Sequence, residues 1–124
     1  MIFLSKVKLK YSLKHGEEEL KNNVMGIYLN DTLVFKDGDI SFKISLKEPF
    51  YLEEKQKEYK LSMDFKEKDS TNANYHFYEI GKLNVPIYTF YIKTQENNFS
   101  LKYKLELEQV DEIFEFNVTY EVIE

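Results

Sequence analysis

The sequence predicts an all-β protein: an antiparallel up-and-down meander of about 8–10 strands, closed into a barrel. Three observations lead there. Apolar and polar residues alternate strictly in segment after segment, which places each apolar set on one face of a strand. The connections between these segments are short and carry turn residues. No stretch of 3.6-residue period is long enough to supply a helix that would cover the apolar faces, so the sheet must close on itself or fold into two packed layers. A meander of long strands favours closure, which also removes exposed edges.

Taken in order, Val7, Leu9, Tyr11 and Leu13 alternate with lysines and Ser12. Leu20 to Leu29 is a strand that changes face around Asn22 to Gly26, as a bulge allows; Glu17 to Asn22 is also compatible with one helical turn. A short strand covers Thr32 to Phe35. Ile40, Phe42, Ile44 and Leu46 form the next apolar set, followed by a short strand over Phe50 to Glu54. Tyr59, Leu61, Met63 and Phe65 alternate with Lys60, Ser62, Asp64 and Lys66, and another short strand covers Asn74 to Glu79. Leu83, Val85 and Ile87 form one set and Tyr88, Phe90 and Ile92 the opposite one. Pro86 precedes that switch, where an edge position or bulge tolerates its missing N–H. Phe99, Leu101, Tyr103, Leu105 and Leu107 form a ninth set, and Phe114 to Val122 a tenth.

Turns are expected at His15-Gly16, Lys36 to Asp39, Glu48-Pro49, Lys55 to Lys57, Lys66 to Asn72, Ile80-Gly81, Thr94 to Asn98 and Val110 to Glu112. Asp37-Gly38 between two strands is a hairpin signal, because glycine accepts positive φ.

The 124 residues make one domain, 1–124, and are too few for two. Without cysteine there is no disulfide, thiol nucleophile or thiolate site. No apolar run is long enough for a signal peptide or a membrane helix, so a cytoplasmic, soluble protein with no membrane partner is expected. A net charge of −5 argues against nucleic acid. All 17 basic residues are lysine, so no bidentate guanidinium clamp for carboxylate or phosphate can be built. The abundance of Lys, Asn, Ile, Phe and Tyr reads as the codon bias of an AT-rich bacterial genome.

The segment Gly81-Lys82-Leu83-Asn84-Val85-Pro86-Ile87-Tyr88-Thr89, followed by Leu101-Lys102-Tyr103-Lys104-Leu105-Glu106-Leu107, resembles the ending of the uncharacterised YwiB-like bacterial family. That family carries a Gly-x-Leu strand start, a Thr at the strand end and a Leu-x-Tyr-x-Leu strand. Met63-Asp64-Phe65 and Tyr75 to Gly81 fit the same order, so the resemblance covers at least the second half. The first half fits loosely, through the lysine-alternating first strand and Gly26. The family's arginine before its central strand and its Tyr-x-Glu are departures in this chain. The resemblance implies a calycin-like, lipocalin-like barrel and no established activity. The Gly-x-Trp of true lipocalins is absent, since the chain has no tryptophan, and no segment matches the helical lid of fatty-acid-binding proteins.

Alternation turns Tyr11, Tyr59, Tyr103 and Tyr120 inward. Four inward hydroxyls in search of partners would line a semi-polar cavity for a small, partly apolar ligand; packed rings with hydroxyls at the rim are the alternative. His76, in the aromatic run Tyr75 to Tyr78, is a further ligand candidate or a solvent-facing strand residue. His15 belongs to a turn. Asp37 and Asp39 read as turn residues without the further oxygens of a calcium loop, and two separated histidines support no zinc site. Glu53, Glu54, Glu79, Glu106 and Glu108 are the carboxylates from which an acid–base pair would come, but most fall on outward positions. Neither a nucleophile triad nor a phosphate loop is visible. The stripe Lys6, Lys8, Lys10 and Lys14 is a solvated outer face opposite Glu-rich strands.

The expectation is a non-enzymatic ligand-binding barrel without cofactor or metal. The alternative is a fully packed interaction or structural module. A homodimer through the strand Tyr88 to Ile92 is compatible with either.

Overall fold

The computed structural model describes residues 4–106 and 111–123. Leu107 and Glu108, and Val110 of the expected last turn, lie outside these residues. Ten strands follow one another: β1 (Leu4–His15), β2 (Glu18–Leu29), β3 (Thr32–Asp37), β4 (Ile40–Ser45), β5 (Phe50–Lys55), β6 (Tyr59–Phe65), β7 (Ser70–Phe77), β8 (Gly81–Gln95), β9 (Asn98–Glu106) and β10 (Asp111–Val122). Each pairs antiparallel with its sequence neighbour, and β1 pairs with β10 from Val7 opposite Val122 to His15 opposite Phe114. The sheet is thereby a closed ten-stranded meander barrel.

Two-residue loops make several of the hairpins. Asp37 opposes Ile40, so the loop is Gly38-Asp39, with Gly38 at φ +62°. Leu29 opposes Thr32, and the intervening Asn30 and Asp31 both adopt positive φ, the pairing of torsions that matches strand twist.

β2 departs from the expected face change. Its ladder to β1 runs without interruption from Leu4 opposite Leu29 to His15 opposite Glu18. No bulge and no helical turn interrupts it. Leu20, Asn22, Val24 and Gly26 stand opposite inward residues of β1, so the polar Asn22 faces inward, while Met25 and Ile27 are exposed outside. Gly26 is required by packing. A Cβ there would lie 2.9 Å from Leu9 Cδ2, 2.9 Å from the Val34 carbonyl and 3.0 Å from Phe35 Cβ.

β8 does switch faces, but at Phe90, three residues later than the expected switch after Ile87. Thr89 opposes Tyr103 and Tyr91 opposes Lys102, leaving Phe90 as the bulged residue. The loop after β6 satisfies the disrupted ladder: the Lys68 N–H donates to the Thr89 carbonyl and the Thr89 N–H to the Asp69 carbonyl. Glu67 Oε2 accepts from the Ile92 N–H at 3.0 Å. Ile92 consequently faces inward, opposite Leu101, and does not share a face with Tyr88. Pro86 opposes Asn72 of β7, and among the described residues the β8–β9 ladder begins one residue later, with Ile87 opposite Leu105, where a missing N–H is tolerated.

The barrel interior is apolar at mid-height. Val7, Leu33, Ile44, Ile87 and Val118 have no exposed surface. Four nearly buried rings, Tyr11, Phe35, Phe42 and Phe116, meet at centroid distances of 4.9–6.4 Å, within the range of favourable aromatic pairing. Outside, Lys6, Lys8, Lys10 and Lys14 are exposed. Lys8 stands opposite Glu121 and Lys14 opposite Glu115; among the described residues these four make no ion pair within 4.0 Å.

Candidate functional site

The turns following β1, β3, β5 and β7 gather at one end of the barrel. There the inward rows of several strands end in polar residues. In β5 the row is Phe50, Leu52, Glu54; in β3 it is Leu33, Phe35, Asp37. Both acids are continuations of the alternation that buries the apolar residues before them. Register fixes their neighbours: Glu54 lies between Phe42 of β4 and Leu61 of β6, and Leu61 lies beside Tyr75 of β7. Phe42, Glu54, Leu61 and Tyr75 thus form one rung across four strands.

Beneath this end lies a cavity of about 300 Å³. Its apolar walls include Leu13, Phe42, Leu61, Met63, Leu105 and Phe114. Its polar lining is Glu54, Gln56, Tyr59, Tyr75 and Tyr103. The Tyr59 hydroxyl donates to Glu54 Oε2 at 2.6 Å, and Gln56 Nε2 reaches both Glu54 Oε2 at 2.7 Å and the Tyr59 oxygen at 2.8 Å. Glu54 Oε2 is therefore held by two fixed donors, while among the described residues Oε1 has none.

Tyr103 is only 4% exposed. Its ring stacks on Phe114 at 5.3 Å and packs on Phe65 at 5.1 Å, yet among the described residues its hydroxyl has no hydrogen-bond partner. The Tyr75 hydroxyl also lacks one. Burial, then the proximity of Tyr75 and Glu54, pushes the Tyr103 phenol up from its ordinary value. Burial and then Glu54 do the same for Tyr75, and burial followed by the hydrogen bond to Glu54 raises Tyr59.

At the rim, Tyr11 donates to Asp37 Oδ2 at 2.5 Å and Asn22 to Asp37 Oδ1 at 3.1 Å. His15 stacks on Phe114 at 4.4 Å and pairs with Glu112.

The four expected tyrosines all point inward, but not into one site. Tyr59 and Tyr103 share the cavity, and Tyr11 stands beside it with its hydroxyl on Asp37. Tyr120 lies toward the opposite end, stacked at 5.8 Å on Tyr28. Tyr28 donates to Asp31 at 2.8 Å, a bond that with burial pushes its phenol up to about 12. His76 is exposed on the outer wall, edge-on to Tyr78, and does not reach the cavity. Of the carboxylates singled out, Glu54 enters the cavity; Glu53 faces outward, Glu79 and Glu106 are exposed, and Glu108 lies outside the described residues. Gln56 and Tyr75 are the site residues that reading the sequence missed; Glu54, offered there only as one of five acid–base carboxylates, is placed inside by extending the Phe50, Leu52 alternation by one step.

The strand expected to carry a dimer contact presents Tyr88, Phe90 and Tyr91 outside. Lys102 covers Phe90 at 5.6 Å and Lys93 covers Tyr91 at 4.7 Å. A larger hollow of about 540 Å³ lies on the outer wall over Lys8, Lys10, Met25 and Glu121. Among the described residues no group of three or more His, Asp or Glu side chains is arranged to hold a metal ion, and no helix is long and apolar enough to cross a membrane.

No protein-family model matches the sequence, and no curated protein matches it. Among solved structures the chain is similar to the crystal structure of the YwiB protein from Bacillus subtilis. The TM-score is 0.65 at 15% identity, over 98% of this chain and 92% of that one. At that identity the likeness is one of fold: the chain has a closed β-barrel similar to that of YwiB along nearly its whole length.

Proposed function

We propose that this protein is a non-enzymatic small-ligand-binding barrel of YwiB-like, calycin-like type. Its binding site is the Tyr59, Tyr75 and Tyr103 end of the interior. The observation that carries this reading is the unpartnered hydroxyl of Tyr103 on a cavity wall. A core packed for stability alone pairs its buried polar groups or replaces them with apolar ones. A hydroxyl on a buried ring, itself opening onto the cavity and without a protein partner among the described residues, suits a group held ready for a ligand. The cavity is at the lower end of the size range of small-molecule sites, and its mostly apolar walls with a few convergent polar groups fit that class. Glu54 fixed by two donors suits a stationary binding group better than one that must move a proton.

The second reading, a packed interaction module, is favoured by the ring cluster that fills the barrel at mid-height. Native mass spectrometry of protein freshly purified from cells separates the two. A binding barrel is expected to retain, or to take up from a metabolite extract, an extra mass of roughly a few hundred daltons or less. A mass that stays bare through that incubation overturns the binding reading.

A further inference from the structure

We propose that the cavity binds a small organic cation, a primary or secondary ammonium on an apolar body, with Glu54 as its counter-ion and the Tyr75 and Tyr103 hydroxyls as further polar contacts. This assignment rests on the binding-barrel reading and names its ligand class.

The charge argument comes first. Glu54 faces inward, half-buried, and none of the residues lining the cavity is basic. Among the described residues no lysine or histidine nitrogen lies within 4.0 Å of it. A carboxylate withdrawn from water ordinarily has a cationic partner, and here the protein supplies only neutral donors, both on Oε2. Oε1 is left to accept. A ligand ammonium would complete the pair, whereas a carboxylate or phosphate ligand would meet Glu54 as a like charge, without any arginine to offset it.

The hydroxyl argument is independent of it. Tyr103 is only 4% exposed, and among the described residues its hydroxyl neither donates nor accepts a hydrogen bond. Phenolic oxygens accept from N–H donors, so two unpartnered hydroxyls beside an unpaired carboxylate favour a ligand rich in donors. The surrounding rings favour the same charge. Tyr59 and Tyr75 lie 6.3 Å apart between centroids, and the faces of such rings attract cations electrostatically. Phe42, Leu61 and Met63 then take the apolar body.

The test uses three probes of one shape and different charge: benzylamine, benzyl alcohol and benzoate. Each is titrated calorimetrically into the wild-type protein near neutral pH. Benzylamine is expected to bind at least roughly tenfold more tightly than either of the others, the least that one hydrogen bond to a charged group supplies. Glu54→Gln keeps the acceptor for Tyr59 but removes the charge, and should erase the preference for benzylamine over benzyl alcohol. Tyr103→Phe should weaken benzylamine without lowering the melting temperature. Equal binding of benzyl alcohol and benzylamine, or tighter binding of benzoate, overturns the cation assignment and leaves the binding barrel standing. Binding of none of the three overturns the assignment as well; the binding barrel itself then falls only if the protein also stays bare in native mass spectrometry.

Discussion

Tyrosine-to-phenylalanine substitution should have opposite consequences at Tyr11 and Tyr103, two tyrosines that are almost equally buried, at 1% and 4% exposure. Tyr11 donates its hydroxyl to Asp37 at 2.5 Å, a half-buried charged acceptor at the rim whose other side-chain contact, from Asn22, is exposed. Hydrogen bonds to charged groups contribute about 1.5–3 kcal/mol. Asp37 is half-buried, so water replaces part of what is lost and the lower bound, about 1.5 kcal/mol, applies. Spread over the unfolding entropy of a 124-residue chain, on the order of 0.26 kcal/mol per degree, that is a fall in melting temperature of about 6 °C. Tyr103 has no hydroxyl partner among the described residues, and its ring contacts with Phe114 and Phe65 survive in phenylalanine. Its substitution is expected to leave stability within about 0.5 kcal/mol of wild type or above it. Equilibrium urea unfolding at constant m-value, alongside calorimetric melting, reads both variants. Equal losses at the two positions would refute the reasoning, since they would mean that burial of the ring, not the partner of the hydroxyl, sets the cost.

Three further outcomes follow from the same structure. Gly26→Ala forces a methyl against the Val34 carbonyl at 2.9 Å, and backbone does not yield as a side chain does; the cost should be about 1–3 kcal/mol in urea unfolding, and a stable Ala variant would contradict the packing. Thr89 is fully buried with Oγ1 unpartnered among the described residues, so Thr89→Val should be neutral or stabilising in thermal melts, and a loss comparable to that of Tyr11→Phe would reveal a hidden acceptor. Alkali should destabilise the fold. The buried phenols, Tyr59 and Tyr103 among them, keep their protons in the folded state above the value at which an unfolded tyrosine loses them, roughly 10. Their stabilisation is therefore complete below pH of about 10 and is lost as pH rises beyond it. Tyrosinate absorbance should show a late set ionising together with unfolding, and uniform ionisation near pH 10 with the barrel intact would be the contrary result.

Alternation made the faces of the strands legible but not the heights of residues along the barrel. That is why Tyr11, Tyr59, Tyr103 and Tyr120 could be turned inward from sequence while their division between two ends could not. Height depends on inter-strand register, and register is set by loops and bulges that single residues shift. A two-residue loop was legible at Asp37-Gly38 because glycine announces it, although the register places it one residue on, at Gly38-Asp39. Asn30-Asp31 carries the same geometry without glycine, through residues whose side chains tolerate positive φ. The bulge at Phe90 hides because phenylalanine is an ordinary strand residue; what stabilises it, the Glu67 carboxylate on the Ile92 N–H, comes from 25 positions away. Asn22 misled in the opposite sense. A polar residue in an apolar row resembles a change of face, yet it is an inward donor to Asp37.

Strand number sets how the lumen is filled. Barrel diameter grows with strand number, and ten strands enclose more than the eight whose side chains just fill the interior. Bulk at mid-height comes from Tyr11, Phe35, Phe42 and Phe116 meeting across the lumen, with Gly26 letting Phe35 and Leu9 close on the wall beside it. Tyr11 belongs to this layer and also reaches Asp37 at the rim, so the plug and the mouth are tied by a single side chain. Above the plug the rings recede to the walls, and the space between them is the cavity that Glu54, Tyr75 and Tyr103 line. Phe42 belongs to both, since it packs in the ring cluster and lines the cavity.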